Sequence, residues 1–184
     1  HPSKVRWWFD CPLVSGAASQ LLPVWLRPGV QGIWHARLRD MLGRHAGVRA
    51  VLASGLEVTG VEALRDFEGL ERQLHAYKVD VAKAMLEICA DLGGRLLLVE
   101  ASTSKHASAD PAAIARDLAK LAVLAVPLGI RVAYKGQPWS RTARDFRQAA
   151  DIVLRANVPN LGVAVDAFDV LASGVPLDDL DILD

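Results

Sequence analysis

The feature that most constrains this chain is a rhythm. Four apolar runs of strand character begin near residues 57, 95, 130 and 161, at intervals of 38, 35 and 31 residues. Each interval holds one helical stretch long enough to cross back over a sheet. Crossovers of that length return every strand in the same direction, so the strands are parallel. The pattern predicts an α/β fold, either part of a (β/α)8 barrel or an open doubly wound sheet. No glycine-rich phosphate fingerprint follows any of the runs, which lowers the nucleotide-binding sheet.

Between the strands the text reads as helices and polar loops. HARLRDMLGRHAG (35–47) predicts a short helix with Leu38, Met41 and Leu42 on one side, weakened or ended by Gly43 and Gly47. GLEVTGVEAL is β-rich, and LRDFEGL is a polar loop. The stretch 72–93 predicts a long helix, with Leu74, Val81, Met85, Ile88 and Leu92 at helical spacing and Gly93 and Gly94 ending it. RLLLVEA is continuously apolar, as a strand buried on both faces should be. Asp110 suits an N-cap and Pro111 a first-turn position, opening a helix that Gly129 closes. IRVAYK is the next strand, 140–157 a helix of mixed charge, and LGVAVDAFDVL a strand with the loop beyond it. Residues 1–34 hold four of the five tryptophans and show no period of 2 or 3.6. They are left as an irregular or unassigned segment ahead of a barrel region at 35–184. The start at His1 and the end in LDDLDILD read as a fragment or an interrupted reading frame.

Composition excludes some partners. Lys+Arg and Asp+Glu number 21 each, so the net charge is zero and neither nucleic acid nor an anionic membrane is favoured. No apolar run reaches the roughly 18 residues of a membrane helix. Cys11 and Cys89 are unpatterned and read as thiols rather than as a disulfide or a zinc site. A reducing, cytoplasmic setting is the default expectation.

In both architectures reactive groups gather at the carboxyl ends of the strands. Those ends offer Glu62 and Arg65, then Glu100, Ser102 and Thr103, then Lys135 and Trp139, then Asp166 and Asp169. Such a ring suits a small, oxygen-rich substrate. Each residue also has a plainer reading. The acids can cap strands, RDFEG can be a local salt-bridged loop, and the serines and threonines are common loop formers. His106 reads as solvated, His75 as surface, and Trp139 as packing over the barrel mouth. Asp166 is the hardest to dismiss, because a carboxylate directly after LGVAV must be paired or bound. Lys135 is its natural partner.

The segments VTGVEALRDFEGL, HAYKVDVAKAMLEICADLG, LLLVEASTS, IARDLAKLAVLAVPLGIRVAYKGQPWSRT and ADIVLRANVPNLGVAVDAFDVLASG resemble the sugar-phosphate isomerase/epimerase barrels. Within these xylose-isomerase-like TIM barrels, they are most similar to bacterial 3-dehydroshikimate dehydratases. The resemblance implies a partial (β/α)8 barrel with its middle strands present and its C-terminal strands missing. It implies a divalent metal (Mg, Mn or Co) at the strand ends and a small sugar-like or shikimate-like acid as substrate. It makes Asp166 a metal ligand. Arg65, Ser102 and Trp139 become substrate contacts, and Lys135 the catalytic candidate, as a base or Schiff-base amine. The family pattern Tyr-Glu-x-Leu-x-Trp-Gly falls on Tyr134–Ser140, so the ligand Glu is Lys135 here; Asp-Ser-Phe-His falls on Asp166–Asp169, so the His is Asp169. A Gln often found three residues before the arginine is Glu62. A charged ammonium donates only and cannot ligate a cation. The expectation is that Lys135 sits at the metal position, pairs with Asp166 and impairs the enzyme. The alternative is a non-catalytic remnant or assembly piece. The open edges of a partial barrel predict self-association.

Overall fold

The computed structural model describes residues 6–7, 41–53, 55 and 57–183. Its elements run β1 (Arg6–Trp7), α1 (Met41–Ala53), β2 (Val61–Arg65), α2 (Arg72–Asp91), β3 (Leu96–Glu100), α3 (Pro111–Ala125), β4 (Arg131–Lys135), α4 (Phe146–Ala156), β5 (Leu161–Val165) and α5 (Ala167–Ser173). Short 3-10 turns follow at Val126–Leu128 and Leu177–Leu183. The strands form one sheet in the order β1-β5-β4-β3-β2, with every pairing parallel. From β2 to β5 each strand neighbours the next in sequence, as in the wall of a β/α barrel. The irregular segment expected at 1–34 lies outside the described residues, apart from Arg6 and Trp7.

One face of the sheet supplies the core. Leu64, Leu97, Val99, Val132, Tyr134 and Leu161 point at α2, α3 and α4 and are almost fully buried with Leu86, Ile114, Leu118 and Leu121. Because side chains alternate along a strand, the next residues face the other way. There Leu98, Ala133 and Gly162 share one cross-strand row. This inner face lines a cavity of about 460 Å³ together with Val61, Leu96 and Ala164.

Three elements differ from the sequence reading. Helix α1 runs through Gly43 and Gly47 to Ala53 instead of stopping at them. Val48 and Val51 bury against Ile88 of α2 and Leu92 just past its end, and Arg44 reaches Glu87 and Asp91, which outweighs the weak helix propensity of the glycines. Residues 140–145 are a loop, and α4 starts at Phe146, where Asp145 accepts from the N–H groups of Arg147 and Gln148. The loop expected after LGVAV is the helix α5, capped by Asp166, whose carboxylate accepts from Phe168 N. Cys89 is a buried free thiol; Cys11 lies outside the described residues. Among the described residues no helix is long and apolar enough to cross a membrane.

Candidate functional site

Register alone assembles the heart of the site. Arg65 pairs with Glu100, and Glu100 with Lys135, at the carboxyl ends of β2, β3 and β4. Parallel neighbours stand about 4.8 Å apart on the same face, so three alternating charges meet side by side. Lys135 Nζ lies 3.4 Å from Glu100 Oε1, 3.4 Å from Asp166 Oδ2 and 3.2 Å from Asp169 Oδ2. Arg65 Nε closes the row from the far side of Glu100. Lys135, Glu100 and Asp169 are each under a tenth exposed. Asp166 sits just past β5 and Asp169 one helical turn further, so α5 delivers both carboxylates to the ammonium.

The electrostatics follow from this geometry. Burial pulls the Lys135 ammonium down, but Glu100, Asp169 and Asp166 outweigh it, and its pKa is raised. Burial pushes the Asp169 carboxyl up, with Asp166 and Glu100 adding to the shift and Lys135 opposing it. The centre therefore holds a firmly protonated cation ringed by acids.

The other expected residues are placed as follows. Ser102 is fully buried; its N–H donates to Glu68 and its hydroxyl to Asp66. Trp139 is half-exposed at the rim, 6.2 Å from the ring of Phe168. Glu62 lies within β2 rather than after it. His106 is exposed. His75 is more than surface: its Nδ1 lies 3.2 Å from the Phe67 carbonyl and its Nε2 3.6 Å from Asp117.

Sequence reading missed Glu68. Inside RDFEG it looked like one more loop charge, yet it is wholly buried. Its Oε1 accepts from Ser102 N at 2.7 Å, Thr142 Oγ1 at 2.7 Å and Tyr134 O–H at 3.0 Å. Nothing short-range signals this, since the three donors stand 34, 74 and 66 residues away.

A divalent cation does not fit this donor set. Among the described residues no group of three or more His, Cys, Asp or Glu is arranged to hold a metal. The acids that converge here converge on Lys135 Nζ, a donor that repels a cation.

A parallel β/α wall with its charged groups gathered at the carboxyl ends of the strands is the arrangement of a (β/α) barrel, the class whose reactive groups collect at that face. The profile of the xylose isomerase-like TIM barrels matches residues 30–183, and the chain belongs to that family. A 3-dehydroshikimate dehydratase of Pseudomonas aeruginosa is 32% identical over 162 residues, covering 86% of this chain and 26% of the relative. A xylose isomerase-like TIM barrel/4-hydroxyphenylpyruvate dioxygenase fusion protein superposes with a TM-score of 0.64 at 31% identity, over 70% of this chain and 21% of the other. The IOLI protein, solved with a binding zinc atom, gives 0.59 at 25% identity over 66% and 45% of the two chains. The chain thus spans about a quarter of the dehydratase it matches.

Proposed function

We propose that this chain carries the strand-end site of a 3-dehydroshikimate dehydratase-type lyase or isomerase, with its metal-dependent step impaired. The substrate class is a small sugar-like or shikimate-like acid. Arg65, about a third exposed, faces the substrate carboxylate, and Trp139 offers an apolar wall to the ring. The observation that carries the impairment is Lys135 Nζ set within 3.4 Å of Glu100, Asp166 and Asp169. Three carboxylates keep that amine protonated, which suits an electrostatic role and does not suit a Schiff-base nucleophile. Asp166, the metal ligand by resemblance, is engaged twice, by Lys135 and by the start of α5.

The experiment is a dehydratase assay on 3-dehydroshikimate with and without Mn²⁺, Mg²⁺ or Co²⁺, beside calorimetric titration with each ion. We expect binding of the acid, no micromolar metal binding and no metal-stimulated turnover. Metal-dependent turnover would overturn the impairment. Failure to bind the acid would favour the second reading, a non-catalytic piece of the same fold. That reading draws on Ser102, whose polar groups are spent inside the protein.

A further inference from the structure

We infer that Glu68 is the positioning residue of this site: one buried carboxyl that ties the loops after β2, β3 and β4 into a single rim. The loop after β2 provides Glu68 itself. The loop after β3 is held through Ser102 N. The loop after β4 is held through Thr142 Oγ1, and β4 through the Tyr134 hydroxyl.

A second layer of bonds welds the same three loops. Ser140 Oγ donates to the Ser102 carbonyl at 3.0 Å, Arg141 N donates to that carbonyl at 2.8 Å, and Gln137 Nε2 donates to the Ala101 carbonyl at 2.7 Å. Asp66, held with positive φ, accepts from Ser102 Oγ and from the N–H groups of Thr103 and Ser104. Glu68 stands at the centre because its Oε1 alone takes three donors from three places in the chain.

The carboxyl is an expensive choice for a purely structural knot. Glu68 is fully buried, and its Oε2 has no hydrogen-bond partner. The charged and titratable groups that act on it are Lys78 from α2 and Tyr134 from β4, and Asp66 from its own loop acts on the same Lys78. Lys78 Nζ donates instead to the Arg65 carbonyl at 2.7 Å, fixing the backbone that carries the arginine. Burial raises the Glu68 carboxyl against the lowering effect of Thr142, Ser102 and Tyr134. The rim that presents Arg65 and Trp139 is therefore set from beneath by one fully buried side chain. Its meaning for substrate rests on the function proposed above; the loop lock rests on the bonds alone.

Hydrogen exchange tests it in the whole chain. Glu68→Ala should speed amide exchange by about tenfold or more in 101–108 and 136–145 as well as 66–70, leaving α3 and the strand centres unchanged. Glu68→Gln keeps the Oε1 acceptor and should restore most of the protection in all three loops. A change confined to 66–70, or spread evenly through the sheet, would overturn the inference. Thr142→Val serves if Glu68→Ala unfolds the chain, and it should loosen 136–145 alone; no change there would also overturn it. Calorimetric titration with 3-dehydroshikimate should show weaker binding in Glu68→Ala and near-normal binding in Glu68→Gln. If the unmodified chain does not bind that acid, the functional reading fails, while the exchange pattern still decides the lock.

Discussion

Lys135 and Glu68 are opposite solutions to one problem, a buried charge. Lys135 gathers acids, so deleting it strands Glu100, Asp166 and Asp169 around an empty centre. Breaking a buried ion pair typically costs about 3–5 kcal/mol, and the partial exposure of Asp166 places Lys135→Ala near the lower end. Urea unfolding should show that loss. The vacated centre is then acidic, so millimolar Mn²⁺ should raise the melting temperature of Lys135→Ala and leave the unmodified chain unmoved. Equal responses would remove the case that Lys135 stands in for a cation. Glu68 instead meets donors and one orphan oxygen, and its pKa rises on folding. A raised acid contributes stability that is full below its unfolded value, about 4.3, and is lost as pH rises through the folded value. Glu68→Gln has no such titration. The stability of the unmodified chain relative to Glu68→Gln should therefore be greatest near pH 4 and shrink toward neutrality. Asp169 titrates in the same direction in both proteins and cancels in the difference. A flat difference between pH 4 and 8 would show that burial does not shift Glu68.

At the scale of elements, the strands β3, β4 and β5 were legible because continuous apolar runs bounded by polar loops have few other readings. Strand β2 was legible in existence but not in start. The run 57–60 reads as β, yet pairing begins at Val61, and Gly60 lies so close to Leu96 that a Cβ there would meet the Leu96 carbonyl at 2.6 Å. The end of α1 was misplaced because burial against α2 was invisible in a local window. The charged row Arg65–Glu100–Lys135 was half legible. Its members could be listed at strand ends, but only register shows that they touch. Residues 140–145, the second half of the loop after β4, read as helix in sequence, and Gly136 gives no local sign of its role. A Cβ on Gly136 would run into the Asp145 carbonyl, the backbone of the residue that caps α4. Gly136→Ala should therefore force strand end and helix start apart, costing about 1–3 kcal/mol by overpacking. Thermal unfolding reads that loss, and an unchanged melting temperature would mean the two backbones separate freely.

At the scale of the molecule, the question is what covers the face of the sheet turned away from helices α2–α4. Along β2–β5 that face carries Leu98, Ala133, Gly162 and Ala164 beneath the charged rim, around a cavity of about 460 Å³. In a closed barrel such inward-facing side chains meet those of the opposite strands and fill the interior. Barrels of this kind close with eight strands, and β2 pairs on one side only among the described residues. A parallel edge strand whose strand partner among the described residues lies on one side, next to an apolar face, is a template for another chain. We therefore expect these 184 residues, produced alone, to self-associate, with a second copy as the partner. Light scattering after size-exclusion chromatography should show a mass that grows with concentration. Leu98→Lys puts a charge on the inner face without touching the edge or the rim. It should shift the equilibrium toward monomer while circular dichroism stays unchanged. A compact monomer at every concentration would mean that the apolar face is already satisfied within one chain. The inner row would then be the core of a closed unit rather than an interface.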